Sequence, residues 1–201
     1  MHVIGLTGGI GTGKSTVAEF LKEQGASIVN ADLVGHEVYL PGRPAHQEIV
    51  HEFGQDVVAE DGTIDRKKLG SIVFSDPKNL VRLNAITHPR MKGMMREKLQ
   101  DMERGGADIA VLEAALLLEA KWDDLADEIW VTVTPPEIAA ERVSTRSNLA
   151  VEQVMDRIRS QMSNEQRTER ADVVIDTSGD MESTRKQASE QWESLRKRLG
   201  S

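Results

Sequence analysis

A parallel sheet layered between helices, an α/β fold, is what this 201-residue chain predicts, and three observations carry the prediction. Short apolar runs at residues 2–6, 27–30, 109–112, 128–134 and 172–176 read as strands. Helical stretches separate them, the alternation expected of parallel strands whose crossovers cover both sheet faces. The first run leads directly into Gly8-Gly9-Ile10-Gly11-Thr12-Gly13-Lys14-Ser15, after which Val17, Phe20 and Leu21 mark one face of a helix. Strand, glycine turn and helix in that order make a phosphate-binding loop, or P-loop.

The residue types in the loop explain its chemistry. Glycines permit a tight turn, so successive N–H groups point inward at phosphate oxygens. The new helix adds unpaired N–H groups and the positive end of its dipole. Gly9, Gly11, Thr12, Gly13, Lys14, Ser15 and Thr16 are therefore expected to bind ATP. Lys14 would reach the β- and γ-phosphates, and the Ser15 hydroxyl would ligate Mg²⁺.

Asp32 follows the second strand, Ser27-Ile28-Val29-Asn30, by one residue. Ligands of open α/β sheets bind beyond the carboxyl ends of the strands, which suits Asp32 as the base for an attacking hydroxyl. It would equally serve as a cap of the next helix. From about residue 33 to 105 the strand rhythm stops. Turns at Pro41-Gly42-Arg43-Pro44 and Asp61-Gly62 are interspersed with helical stripes: Leu69, Ile72 and Val73, then Met91, Met94, Met95, Leu99 and Met102. The interval reads as a mostly helical insertion, with its methionines filling a core and an acceptor site as its function. His88, before Pro89, reads as a structural cap or turn residue.

Glu113 closes the third strand, where it is a candidate to hold magnesium through water or to orient the acceptor. Glu119 reads as a surface charge. Thr134-Pro135-Pro136-Glu137 combines a capping-box pattern with an early proline, so a helix is expected to begin there. Arg142 and Arg146 share one face of that helix, ahead of the break at Ser147-Asn148. The stripe Val151, Val154, Met155, Ile158 and Met162 follows. Residues of about 142–165 thus read as a mobile lid whose arginines clamp the triphosphate. Surface pairing of those arginines with Glu137 or Glu141 is the bland alternative. A last helical stripe contains Ala188, Trp192, Leu195 and Leu199.

Composition narrows the partners. The net charge is −8 with no basic block, which argues against a general nucleic-acid binder. The absence of cysteine excludes disulfides and thiolate metal sites. Ala114 to Leu118, the longest plain apolar run, is too short to cross a bilayer. The first strand begins at once, leaving no room for a signal peptide, so a cytoplasmic location is expected. No Asn-Lys-X-Asp segment, the guanine reader of a GTPase switch, is present. The residues alone thus reach a small-molecule P-loop kinase, nucleoside monophosphate kinases included.

Several segments together resemble the dephospho-CoA kinase family over nearly the whole chain. They are Ile4 to Thr16, Ala31-Asp32, Pro41-Gly42, Phe53-Gly54, Asp61 to Arg66, Leu83 to Pro89, Leu116 to Glu119 and Ala171 to Asp176. The resemblance implies a P-loop nucleoside triphosphate hydrolase-like three-layer fold with a helical CoA-binding insertion and an arginine-bearing lid. It implies transfer of the ATP γ-phosphate to the ribose 3′-hydroxyl of dephospho-CoA, the last step of CoA biosynthesis. On this likeness Asp32 is the general base, Lys14 the phosphate clamp and Arg146 a lid residue on ATP, with Arg142 beside it. Thr7 and the His88 region fall near the acceptor, and Glu113 stays the strand-end candidate to orient it. A monomer, or at most a weak oligomer, is expected. The chain departs from the family pattern at Asn30, where many members carry Asp. It departs again at Glu113-Ala114-Ala115, where many read Asp-Ile-Pro.

Overall fold

The computed structural model describes residues 1–200. Along the chain, β1 (His2–Gly8) leads to α1 (Lys14–Glu23) and β2 (Ser27–Asn30). Helices α2 (Ala31–Glu37), α3 (Pro44–Phe53), α4 (Arg66–Ser75) and α5 (Pro77–Arg104) follow. Then come β3 (Ile109–Glu113), β4 (Glu128–Val133), α6 (Pro136–Ser147), α7 (Val151–Arg159), α8 (Asn164–Thr168), β5 (Val173–Asp176) and α9 (Met181–Leu199). These form two compact units: residues 1–29 together with the chain from Leu99 onward, and residues 30–98.

The first unit holds a five-stranded sheet in the order β2-β3-β1-β4-β5, with helices on both sides. β1 runs parallel to both its neighbours, Ile4 lying opposite Val111 of β3 and Glu128 of β4. Its residues from Val3 to Gly8 are all buried, as a doubly covered strand requires, which is why the run carries no polar alternation. On one face, Ile4, Leu6, Ile109, Val111, Trp130 and Ile175 pack against Val17, Phe20 and Leu21 of α1 and Ala188, Trp192 and Leu195 of α9. Each fully enclosed leucine or isoleucine there contributes about 1.5–3 kcal/mol.

Two aspartates fix the strand starts. Asp127 donates its N–H to the Val3 carbonyl at 2.8 Å and accepts the Val3 N–H on Oδ2 at 2.7 Å. Asp172 repeats the device against Ile129, at 2.8 and 2.7 Å. Each closes a two-way clamp that sets where β4 or β5 begins.

The helix expected after β4 forms, but without the capping box. Its N-cap is Pro135, no side chain caps it, and the Thr134 hydroxyl is buried with no hydrogen-bond partner among the described residues. The helix starts one residue later than the pattern implied, so Thr134 falls outside capping reach. α6 ends where the sequence placed its end, at Asn148 in the left-handed conformation (φ 60°). Beyond it, Val154 of α7 packs with Ala140 and Val143 of α6, joined by Ile10, Leu149, Met155 and Ile158.

The second unit is helical. Its core comprises Ile49, Val57, Ile64, Leu69 and Val73. Asp65 caps α4, its side chain accepting from the Lys67 and Lys68 N–H groups. His88 is neither cap nor turn here: both it and Pro89 lie inside α5, which runs through the proline. Proline forfeits one ladder bond. Side-chain bonds flank the site, from the Thr87 hydroxyl to the Leu83 carbonyl at 2.9 Å and from Arg90 to the Ile86 carbonyl at 2.5 Å.

Candidate active site

The P-loop joins β1 to α1. Gly13 is the N-cap of α1 in the left-handed conformation (φ 74°), a state that glycine adopts at little cost, and no side chain occupies the capping position. The Thr16 and Val17 N–H groups bond to the Gly13 carbonyl at 3.0 and 3.1 Å. An acid-free first turn without a side-chain cap keeps the earlier donors and the helix dipole for an anion. Thr12 works from inside: its hydroxyl donates to the Gly9 carbonyl at 2.9 Å and meets Thr132 Oγ1 at 2.8 Å. Gly11 (φ 78°) lies so close to α6 that a β-carbon on it would sit 2.5 Å from the Ala139 carbonyl oxygen.

Lys14 and Ser15 converge on a single oxygen. Lys14 Nζ lies 3.1 Å and Ser15 Oγ 2.6 Å from Glu113 Oε1. Glu113 is 5% exposed and stands at the end of β3, level with Leu6 of β1. The carboxylate and hydroxyl offer hard oxygen donors at one spot. That set suits Mg²⁺, which takes one or two protein ligands and fills its shell with phosphate oxygens and water. Thr7 is wholly enclosed in β1, its hydroxyl donating to the Ala115 carbonyl at 3.4 Å.

Of the two arginines of α6, Arg142 is engaged at the loop rather than with Glu137 or Glu141. Its Nη2 donates to the Thr177 carbonyl at 2.7 Å, and the Thr177 hydroxyl donates to the Thr12 carbonyl at 2.8 Å. Arg146 stands exposed in the last turn of α6.

Asp32 and His88 belong to the second unit. Asp32 is exposed in the first turn of α2, and it does not cap that helix. Asn30 does so, its side chain accepting from the Asp32 and Leu33 N–H groups at 2.9 and 3.1 Å. Burial lowers the His88 pKa below its ordinary value, favouring the neutral ring.

Sequence reasoning missed three residues beside the loop. Glu119 is no surface charge: it pairs at 2.7 Å with Arg167, a guanidinium only 1% exposed. Gln161 accepts the Ile10 N–H at 3.0 Å, across 151 positions of chain. The one local signal nearby was Ser163-x-x-Gln166, a capping box that opens α8.

A glycine loop capping a helix at the end of a central parallel strand, with lysine, hydroxyl and carboxylate gathered at its mouth, defines a kinase of the P-loop class. The chain belongs to the dephospho-CoA kinase family, whose family model matches residues 2–183. A dephospho-CoA kinase of Carboxydothermus hydrogenoformans is 45% identical over 187 residues, which cover 93% of this chain and 91% of that protein. The crystal structure of TT1252 from Thermus thermophilus is 31% identical with a TM-score of 0.83, covering 96% of this chain and 97% of the other. Dephospho-CoA kinase from Campylobacter jejuni is 25% identical with a TM-score of 0.73, covering 97% of each chain. This chain is accordingly an ATP-dependent kinase that phosphorylates dephospho-CoA.

Proposed function

We propose that the loop amides from Gly9 to Thr16, Lys14 and Ser15 hold the ATP triphosphate while Asp32 deprotonates the ribose 3′-hydroxyl of dephospho-CoA. The observation that carries this is the meeting of Lys14 and Ser15 at one Glu113 oxygen, at the mouth of the glycine turn. Mg²⁺, when bound, would be held by Ser15 and, through water, by Glu113, and would offset phosphate charge. In the transfer, the 3′-oxygen forms its bond to the γ-phosphorus as the bond from that phosphorus to the β–γ bridging oxygen breaks. The proton passes to the Asp32 carboxylate and ADP departs. Positioning and charge stabilisation supply the catalysis, with no covalent enzyme intermediate.

In this reading Arg146 and Arg142 neutralise charge on the moving phosphoryl group, and residues of about 142–165 close over it to exclude water. The helical insertion of about 33–105 binds the CoA portion, with Thr7, His88 and Glu113 near the acceptor. The enzyme works as a cytoplasmic monomer. Mass spectrometry of protein mixed with ATP, magnesium and dephospho-CoA is expected to show CoA as the product. Asp32→Asn should lower kcat by about a hundredfold or more while the ATP Kd stays within about twofold. An undiminished kcat would remove Asp32 as the base.

A further inference from the structure

Gln161 and Arg167, from the segment after α7, lie behind Gly9 and Ile10. Gln161, two residues past α7, accepts the Ile10 N–H at 3.0 Å. Arg167 in α8 donates to the Met162 carbonyl and pairs with Glu119 at 2.7 Å. A β-carbon on Gly9 would lie 3.4 Å from Arg167 Nη1 and 3.6 Å from Gln161 Oε1, so both groups lie against the loop backbone. The Ile10 side chain meanwhile packs into the cluster formed by α6 and α7. One amide bond and one apolar contact therefore tie the opening residues of the loop to α6, α7 and the segment after them, with a guanidinium lying against Gly9.

Physical cost marks the arrangement as more than filling. A buried guanidinium is tolerated only with its charge answered, here by Glu119. Its Nε finds no partner among the described residues, an expense that packing alone does not explain. Fixing a backbone residue costs conformational entropy, and glycine has the most freedom to lose. A turn fixed in advance spares the incoming nucleotide that cost.

We propose that Gln161 and Arg167 are positioning residues for ATP, presetting Gly9 and Ile10 and coupling them to the α6–α7 hairpin. The inference deepens the reading above and rests on the loop holding ATP. Gln161→Met removes the acceptor at nearly constant length. It is expected to raise the ATP Kd by about tenfold, measured by titration calorimetry, while the dephospho-CoA KM stays within about twofold. Its Tm should fall by no more than about 2 °C. Arg167→Met should weaken ATP binding in the same direction, and Arg167→Lys, which keeps the charge facing Glu119, should recover most of the loss. If Arg167→Met fails to fold, Gln161→Met and Arg167→Lys suffice. Joined to Gln161→Met, Arg167→Met should add less than its separate effect, because both act on one loop conformation.

Wild-type ATP affinity in Gln161→Met would overturn the proposal. A lowered Tm with both substrates impaired alike would overturn it too, since that is what a purely structural role produces. Failure of the wild-type protein itself to bind ATP would instead sink the underlying reading.

Discussion

Glu113 concentrates more of the site's electrostatics than any other side chain described. It is 5% exposed and faces a lysine whose side chain is 11% exposed, so neither charge is well hydrated. Removing one partner of such a pair leaves the other uncompensated, at a cost of about 3–5 kcal/mol. Glu113→Ala is therefore expected to lower stability by about 3 kcal/mol, read from the urea midpoint. Saturating ATP supplied without magnesium would return negative charge to Lys14, so it should raise the Tm of this variant by more than it raises that of the wild type. Equal shifts would mean that Lys14 does not meet the phosphates. The sequence made Glu113 a candidate through its place at a strand end. It could not give the shared contact with Lys14 and Ser15, which depends on β1 and β3 being neighbours although about a hundred positions separate the residues.

Among the elements, the central strands β1, β3 and β4 were the most legible, because runs buried on both faces carry no polar alternation to confuse them. Even so, strand boundaries depend on Asp127 and Asp172, exposed residues whose clamp partners lie far away in the chain. Asp172→Ala removes the carboxylate that accepts the Ile129 N–H and should cost about 1 kcal/mol in urea unfolding. Asp172→Asn keeps an acceptor and should cost less; equal losses would deny the clamp its role. Helix signals misled where local preference met tertiary demand. Thr134 and Glu137 have capping-box spacing, but the chain leaves β4 still extended and Pro135 becomes the cap. His88-Pro89 suggests a boundary, and α5 passes through it. Gln161 and Arg167 had no periodic pattern to betray them, since their partners lie in the loop and in the segment after β3.

At the scale of the whole molecule, an acidic protein of net charge −8 confines its useful positive charge to a few places, among them Lys14, Arg142 and Arg167. Global stability should also respond to acid through His88. Burial holds its folded-state pKa below the ordinary 6.5, so the unfolded chain binds the proton more readily. The stability this supplies is complete above pH 6.5 and is lost as the pH falls from there through the folded-state value. His88→Gln should flatten the stability profile over that window, followed by urea midpoints at stepped pH. An unchanged slope would place the acid sensitivity elsewhere.

The close approach of Gly11 to the Ala139 carbonyl has a mechanical consequence. Backbone pressed on backbone leaves no compressible side chain between them, so the opening turns of α6 must travel with the glycine turn as one solid piece. Any swing of residues 142–165 therefore has to pivot beyond Ala139.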